Sequence, residues 1–178
     1  MPGTVTLGDT PNTLTLTAVD TLIGGSAADT IVFSEQISNA SIDLNAGNDK
    51  VTFGNFANTA TVSDTETVIA GSAADTITIG SLLSKASIDL GAGSDKLTLG
   101  NFAHTATVSN VETLIGGSAN NTITLGAAAS NASTDLGAGS PSAWVPEDTK
   151  TMSGADLEAA LARAKGRAVA AGREQVLE

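Results

Sequence analysis

Cysteine and tyrosine are absent, and the chain of 178 residues has one histidine, one tryptophan, two methionines and four phenylalanines. Without cysteine there is no disulfide framework and no thiolate-bound zinc or iron–sulfur centre. A single histidine, His104, excludes a multi-histidine metal site. Basic residues are few: 8 Lys and Arg stand against 19 Asp and Glu, a net charge of -11. Phosphate contacts need clustered Lys and Arg, so a nucleic-acid partner is not expected. No apolar run approaches the ~20 residues of a membrane span, so no membrane insertion is expected. Met1-Pro2-Gly3-Thr4 has neither a basic nor an apolar leader, so no cleavable signal peptide is expected. Yet a hydrophobic content of 41% is too high for a disordered acidic tail. What is plentiful is small: Gly, Ala, Thr and Ser.

An internal repeat accounts for that composition. Leu22-Ile23-Gly24-Gly25-Ser26-Ala27-Ala28-Asp29-Thr30 returns 46 residues later as Val68-Ile69-Ala70-Gly71-Ser72-Ala73-Ala74-Asp75-Thr76, and again as Leu114-Ile115-Gly116-Gly117-Ser118-Ala119-Asn120-Asn121-Thr122. A second block, Ser41-Ile42-Asp43-Leu44-Asn45-Ala46-Gly47-Asn48-Asp49, returns at 87–95 and at 133–140 with the same offset. Three 46-residue repeats thus fill residues 4–140. Within them Thr13-Leu14-Thr15-Leu16, Thr76-Ile77-Thr78-Ile79 and Lys96-Leu97-Thr98-Leu99 alternate polar and apolar residues, the period of a strand with one buried face. Gly, Ser, Asn and Asp separate the strands as turns.

These features predict an all-β fold: a parallel β-solenoid (β-roll or β-helix) of three repeats, followed by a C-terminal α-helix. Stacked coils cover one another's apolar faces, so small side chains suffice for the core. Equivalent residues of successive repeats are expected in columns, ~4.8 Å apart per layer. The Gly/Asp loops recur twice per period, which favours two coils per repeat; five half-turns of nine residues is the alternative. After Ser140 the composition changes. Residues 141–152 read as a linker and 153–178 as a helical segment, its helix running over about 154–175 and placed to cap the last coil.

The loops carry the chemistry. Gly24-Gly25-Ser26-Ala27-Ala28-Asp29-Thr30-Ile31-Val32, Asn45-Ala46-Gly47-Asn48-Asp49-Lys50-Val51 and Gly91-Ala92-Gly93-Ser94-Asp95-Lys96-Leu97 resemble the G-G-x-G-x-D-x-U-x nonapeptide of the repeats-in-toxin (hemolysin-type calcium-binding) proteins. They depart from it where Ala27 and Ala73 replace a glycine, where Leu44 and Leu90 replace the first glycine, and where Asn121 and Pro141 replace an aspartate. Family loops follow one another every nine residues, whereas these lie 20 or 26 apart. The resemblance implies Ca²⁺ between stacked loops. Its ligands would be Asp29, Asp49, Asp75 and Asp95, with Gly24, Gly25, Gly47, Gly71 and Gly93 giving backbone carbonyls or turn geometry. The other reading of the same residues is a set of turns in which Asp caps backbone N–H groups.

Further series at the same offset are Asp43/Asp89/Asp135 and Asp20/Glu66/Glu112, expected as a solvated acidic face. The Thr6/Thr52/Thr98, Thr15/Thr61/Thr107 and Thr30/Thr76/Thr122 series suggest, as an alternative, an ice-binding array. Paired carboxylates on a β-helix also admit a fragment of a polysaccharide-active enzyme. However, each acid recurs in register with no unique basic or aromatic cluster beside it, so no enzyme is expected. His104, in phase with Asn12 and Asn58, reads as a surface variant. The function expected is that of a structural or adhesive module of a secreted or cell-surface protein, with Ca²⁺ as the implied cofactor. End-to-end self-association is open to it, and neither a receptor nor a glycan is identified.

Overall fold

Short alternating segments bounded by turn residues fold as short strands. The computed structural model describes residues 3–126, 133–137 and 142–144. In chain order the first five strands are β1 (Thr4–Thr6), β2 (Thr13–Leu16), β3 (Thr21–Ile23), β4 (Thr30–Phe33) and β5 (Ser38–Asp43). Then come β6 (Lys50–Thr52), β7 (Thr59–Ser63), β8 (Thr67–Ile69), β9 (Thr76–Ile79) and β10 (Ser84–Asp89). The last six are β11 (Lys96–Leu99), β12 (Thr105–Ser109), β13 (Thr113–Ile115), β14 (Thr122–Leu125), β15 (Ser133–Asp135) and β16 (Ser142–Trp144).

The odd-numbered strands form one eight-stranded sheet in sequence order, and the even-numbered strands form another. Neighbours pair in parallel throughout, as in Thr13↔Thr30, Thr30↔Lys50 and Lys50↔Thr67. Each coil gives one strand to each sheet, so the fold is a parallel β-solenoid. Its core is a stack of apolar ladders. One runs Leu22, Ile42, Val62, Ile79, Leu99 in the odd sheet, another Ile31, Val51, Val68, Ile88, Val108, Leu125 in the even sheet. All of these are buried. At about 1.5–3 kcal/mol for each fully buried Val, Leu or Ile, the ladders stabilise the fold without large aromatics. Phe33 and Phe53 stack at 5.5 Å and are the exception.

Equivalent residues of successive repeats do not stack, and here the structure corrects the expectation. Strands β2, β7 and β12 begin 46 residues apart (Thr13, Thr59, Thr105) but lie in the even, odd and even sheets. Each repeat therefore makes five strands, or two and a half coils, not two. The physical reason is the length of a half-turn. About nine residues suffice for a short strand and one tight corner, and 46 residues hold five such units. Five is odd, so each repeat is turned by half a coil from the one before it. Asp29 enters β4 and Asp75 enters β9, which places them on opposite edges. The expected columns dissolve for the same reason: Asp43, Asp89 and Asp135 end β5, β10 and β15 in alternating sheets. Each of the three Thr series alternates likewise. Threonines do pair across adjacent strands, but not with their counterparts 46 residues on: Thr4↔Thr21, Thr13↔Thr30, Thr59↔Thr76, Thr61↔Thr78, Thr78↔Thr98, Thr105↔Thr122 and Thr107↔Thr124.

Two register shifts mark where a corner intrudes on a strand. One falls between Ser38 and Ala40, where Asn39 has φ 56°, and the other between Ser84 and Ala86, where Lys85 has φ 61°. These bulges are in phase with each other. Pairing runs past Ser140, since β16 joins β14 through Thr122↔Ser142 and Thr124↔Trp144. The chain divides into two units, 1–146 and 147–178. The second unit, with the expected helix at 154–175, lies outside the described residues, as does the remainder of the expected linker.

Candidate functional site

The residue just before a strand sits at a corner of the coil, where the sheet's ladder has ended and its N–H still needs an acceptor. Side chains of the next coil supply one. On the edge leading into the even sheet, the Asn12 N–H donates to Asp29 Oδ1 at 2.9 Å, the Asp29 N–H to Asp49 Oδ1 at 2.7 Å, and the Asp49 N–H to Glu66 Oε2 at 2.8 Å. On the opposite edge the same ladder runs two and a half coils on. There Ile37 donates to Asn58 Oδ1 (3.0 Å), Asn58 to Asp75 Oδ1 (2.8 Å), Asp75 to Asp95 Oδ1 (2.7 Å) and Asp95 to Glu112 Oε2 (2.7 Å). The sequence separations are 17, 20 or 21 residues, one coil each. Charge-assisted bonds of this length are the stronger kind, so each carboxylate ties its coil to the one before.

The bonds use only one oxygen of each aspartate. Oδ2 of Asp29, Asp49, Asp75 and Asp95 is buried and without a partner. These residues are at most 1% exposed. A buried acceptor left unpaired costs about 1–3 kcal/mol. Burial pushes the carboxyl groups of Asp49 and Asp95 above the usual range, and neighbouring acids add to the effect: Glu66, Asp29 and Asp64 around Asp49, Asp75 and Glu112 around Asp95. The bonds from the Asp29 and Asp75 N–H groups oppose it. Beside Asp49, a methyl added to Gly47 would meet Asp49 Oδ1 at 2.7 Å, Ala27 O at 2.8 Å and Asp49 Oδ2 at 2.9 Å. Three oxygens therefore surround a spot that the missing side chain leaves free. At Gly93 the corresponding oxygens are Ala73 O at 2.7 Å and Asp95 Oδ1 at 2.9 Å.

The four expected aspartates thus come together in two pairs, Asp29 with Asp49 and Asp75 with Asp95, and not in one column. The backbone-capping role holds for all four. Gly24, Gly25 and Gly71 serve close approach: a Cβ on them would strike the carbonyls of Leu44, Gly8 and Gly54 on neighbouring coils. The left-handed turn position is Asn45 (φ 57°), in phase with Gly91 (φ 80°) and Gly137 (φ 81°). Ala27 and Ala73 are not at positive φ, so no strain attaches to alanine there.

Two expectations are overturned. Glu66 and Glu112 are half-buried members of the ladder, not a solvated face, because a longer side chain still reaches the N–H of the preceding coil. His104 is 0% exposed, and Asn58 1%: both occupy the same corner slot as the aspartates. The signal for them was positional, since each stands immediately before a strand, as Asp29 does. In the third repeat Asn121 takes the aspartate's place. Its Nδ2 donates to Ala119 O and Leu136 O, both at 3.2 Å, so the atom that is orphaned in Asp29 and Asp75 is satisfied here.

No group of three or more His, Cys, Asp or Glu side chains placed to hold a metal occurs among the described residues. No family model, curated protein or solved structure matches this chain.

Proposed function

We propose that this structural repeat module is a stalk or spacer of a secreted or cell-surface protein, stiffened by Ca²⁺ on both edges. The observation that supports the metal is the set of four buried, unpartnered Asp Oδ2 atoms. Ca²⁺ takes six to eight hard oxygens at flexible sites. Asp29, Asp49 and the Ala27 carbonyl would contribute on one edge, Asp75, Asp95 and the Ala73 carbonyl on the other. A bound cation would neutralise the paired carboxylates and supply the missing partner of each Oδ2. Coils tied at both corners resist bending and shear, which suits a spacer. Stacking of such modules end to end is compatible with this role.

Thermal melts by far-UV circular dichroism in EDTA and in millimolar CaCl₂ test the reading. Binding to the folded state alone at 100 times Kd adds about 2.7 kcal/mol per site, so a clear upward shift in Tm is expected, with two Ca²⁺ per chain by calorimetric titration. A β spectrum in EDTA with an unchanged Tm in CaCl₂ would leave a metal-free scaffold.

A further inference from the structure

The corner ladder has one titratable link that uses no carboxylate. His104 is buried, with Nδ1 accepting the Leu83 N–H at 3.2 Å and Nε2 facing the Gly100 carbonyl at 3.1 Å. These two partners fix the tautomer: Nδ1 must be bare to accept, and Nε2 must carry the proton to donate. The backbone N–H of His104 continues the ladder to Asn121 Oδ1 at 3.2 Å, and Phe102 lies edge-on to the ring at 5.9 Å. Leu83 is the residue before β10, whose bulge at Lys85 shifts its register against β12. The ring thus pins the irregular start of β10 to the next coil. In the in-phase bulge of β5 the pin is Asn58 Oδ1, which has no proton to gain near neutrality.

We propose that His104 is a proton-released latch: the neutral imidazole ties the start of β10 to β12, and a proton on Nδ1 opens that joint. A second proton would set N–H against N–H at the Leu83 contact, inside a site that water does not reach. The groups touching the ring are neutral: the Leu83 N–H, the Gly100 carbonyl and Phe102. Of the strands packed here, β10 carries Lys85 and Asp89, while β12 and β14 carry no charged residue. None of the ring's hydrogen bonds involves Lys85 or Asp89, and Asp89 Oδ1 accepts from Asn110 Nδ2 instead. Burial accordingly holds the imidazole below its ordinary 6.5, with the Gly100 carbonyl opposing.

The sign follows from linkage. A histidine whose folded pKa is lowered contributes stability that is present above about 6.5 and is lost as pH falls from there toward the folded value. In that window the open joint takes up one proton, so protection of the Leu83 amide against exchange falls about tenfold per pH unit. His104 is the sole imidazole in the chain, so its ring signals can be followed by NMR without ambiguity. His104→Asn supplies the residue that the same phase carries at Asn12 and Asn58, and it provides a control expected to fold. The expected results are a neutral ring protonated on Nε2, titration below 6.5, and a wild-type Tm that drops relative to His104→Asn between pH 7 and pH 5. A neutral ring protonated on Nδ1, titration at or above 6.5, or parallel Tm curves for the two chains would each overturn the latch.

Discussion

Asp75→Asn isolates what a single unpartnered oxygen costs this fold. Asp75 Oδ1 accepts from the Asn58 N–H and from Asn58 Nδ2 at 2.8 and 2.9 Å, while Oδ2 is buried with nothing to bond. Asparagine keeps Oδ1 in place and puts a donor where Oδ2 stood. The third repeat displays the outcome: Asn121 Nδ2 donates to Ala119 O, and Ala119 is in phase with Ala73. Relieving an unsatisfied buried acceptor is worth about 1–3 kcal/mol. At roughly 2–4 °C per kcal/mol for a domain of this size, Tm in EDTA should rise by about 2–12 °C. In CaCl₂ the order should reverse in part, because the variant keeps only the Asp29/Asp49 edge and loses about half of the calcium-dependent shift. Melts of both chains in both buffers give all four numbers. A variant that melts below wild type in EDTA would refute the view that Oδ2 is a liability awaiting a cation.

Three further outcomes follow from the same geometry. Burial raises the carboxyl groups of Asp49 and Asp95 above 3.8, so their contribution is most favourable below 3.8 and is lost as pH rises through the folded value. In EDTA the Tm advantage of Asp49→Asn/Asp95→Asn over wild type should therefore be largest at pH 7 and shrink toward pH 4, and a gap that grows with acid would contradict the assignment. Gly71→Ala forces a methyl onto the Gly54 carbonyl, whereas Gly8 has nothing within 4 Å of an added Cβ; the first should cost about 1–3 kcal/mol in denaturant melts and the second less than about 0.5 kcal/mol. Thr61→Cys/Thr78→Cys joins residues paired on adjacent strands and should oxidise to a disulfide. Thr61→Cys/Thr107→Cys, one repeat apart but on opposite sheets about 10 Å distant, should remain reduced on a non-reducing gel.

The solenoid was legible because alternation, β-branched residues and the 46-residue period all require the same thing. A strand such as Thr76–Ile79 buries Ile77 and Ile79 and exposes Thr76, and only a neighbouring coil can cover such small side chains. The number of half-turns was not legible in the same way. Five corners occur per repeat, but only two bear the Gly/Asp signature. The others, such as Gly54-Asn55-Phe56 and Ser34-Glu35-Gln36, look like ordinary turns. Counting conspicuous loops therefore favoured an even number of coils and stacked Asp29 on Asp75. The true neighbour of Asp29 is Asp49. The corner role of Asn58 and His104 was hidden for a related reason, since a polar residue after a glycine-led turn has the composition of surface even where its side chain is aimed at a backbone N–H.

The odd count of half-turns also has an electrostatic consequence. Had each repeat closed on a whole number of coils, Asp29, Asp49, Glu66, Asp75, Asp95 and Glu112 would all share one edge. Two unit charges ~4.8 Å apart repel by roughly 3.5 kcal/mol at an effective dielectric of 20, a cost repeated at every step of such a column. Turning each repeat by half a coil splits the acids between two edges. On either edge three carboxylates follow an asparagine, Asn12 or Asn58, and beyond Glu66 the slots pass to the uncharged Leu83, His104 and Asn121. Each acidic segment is then short enough to be neutralised locally, by one cation or by protons on its buried members. The parity that broke the expected column is thus what makes a buried carboxylate ladder tolerable in a chain of this charge.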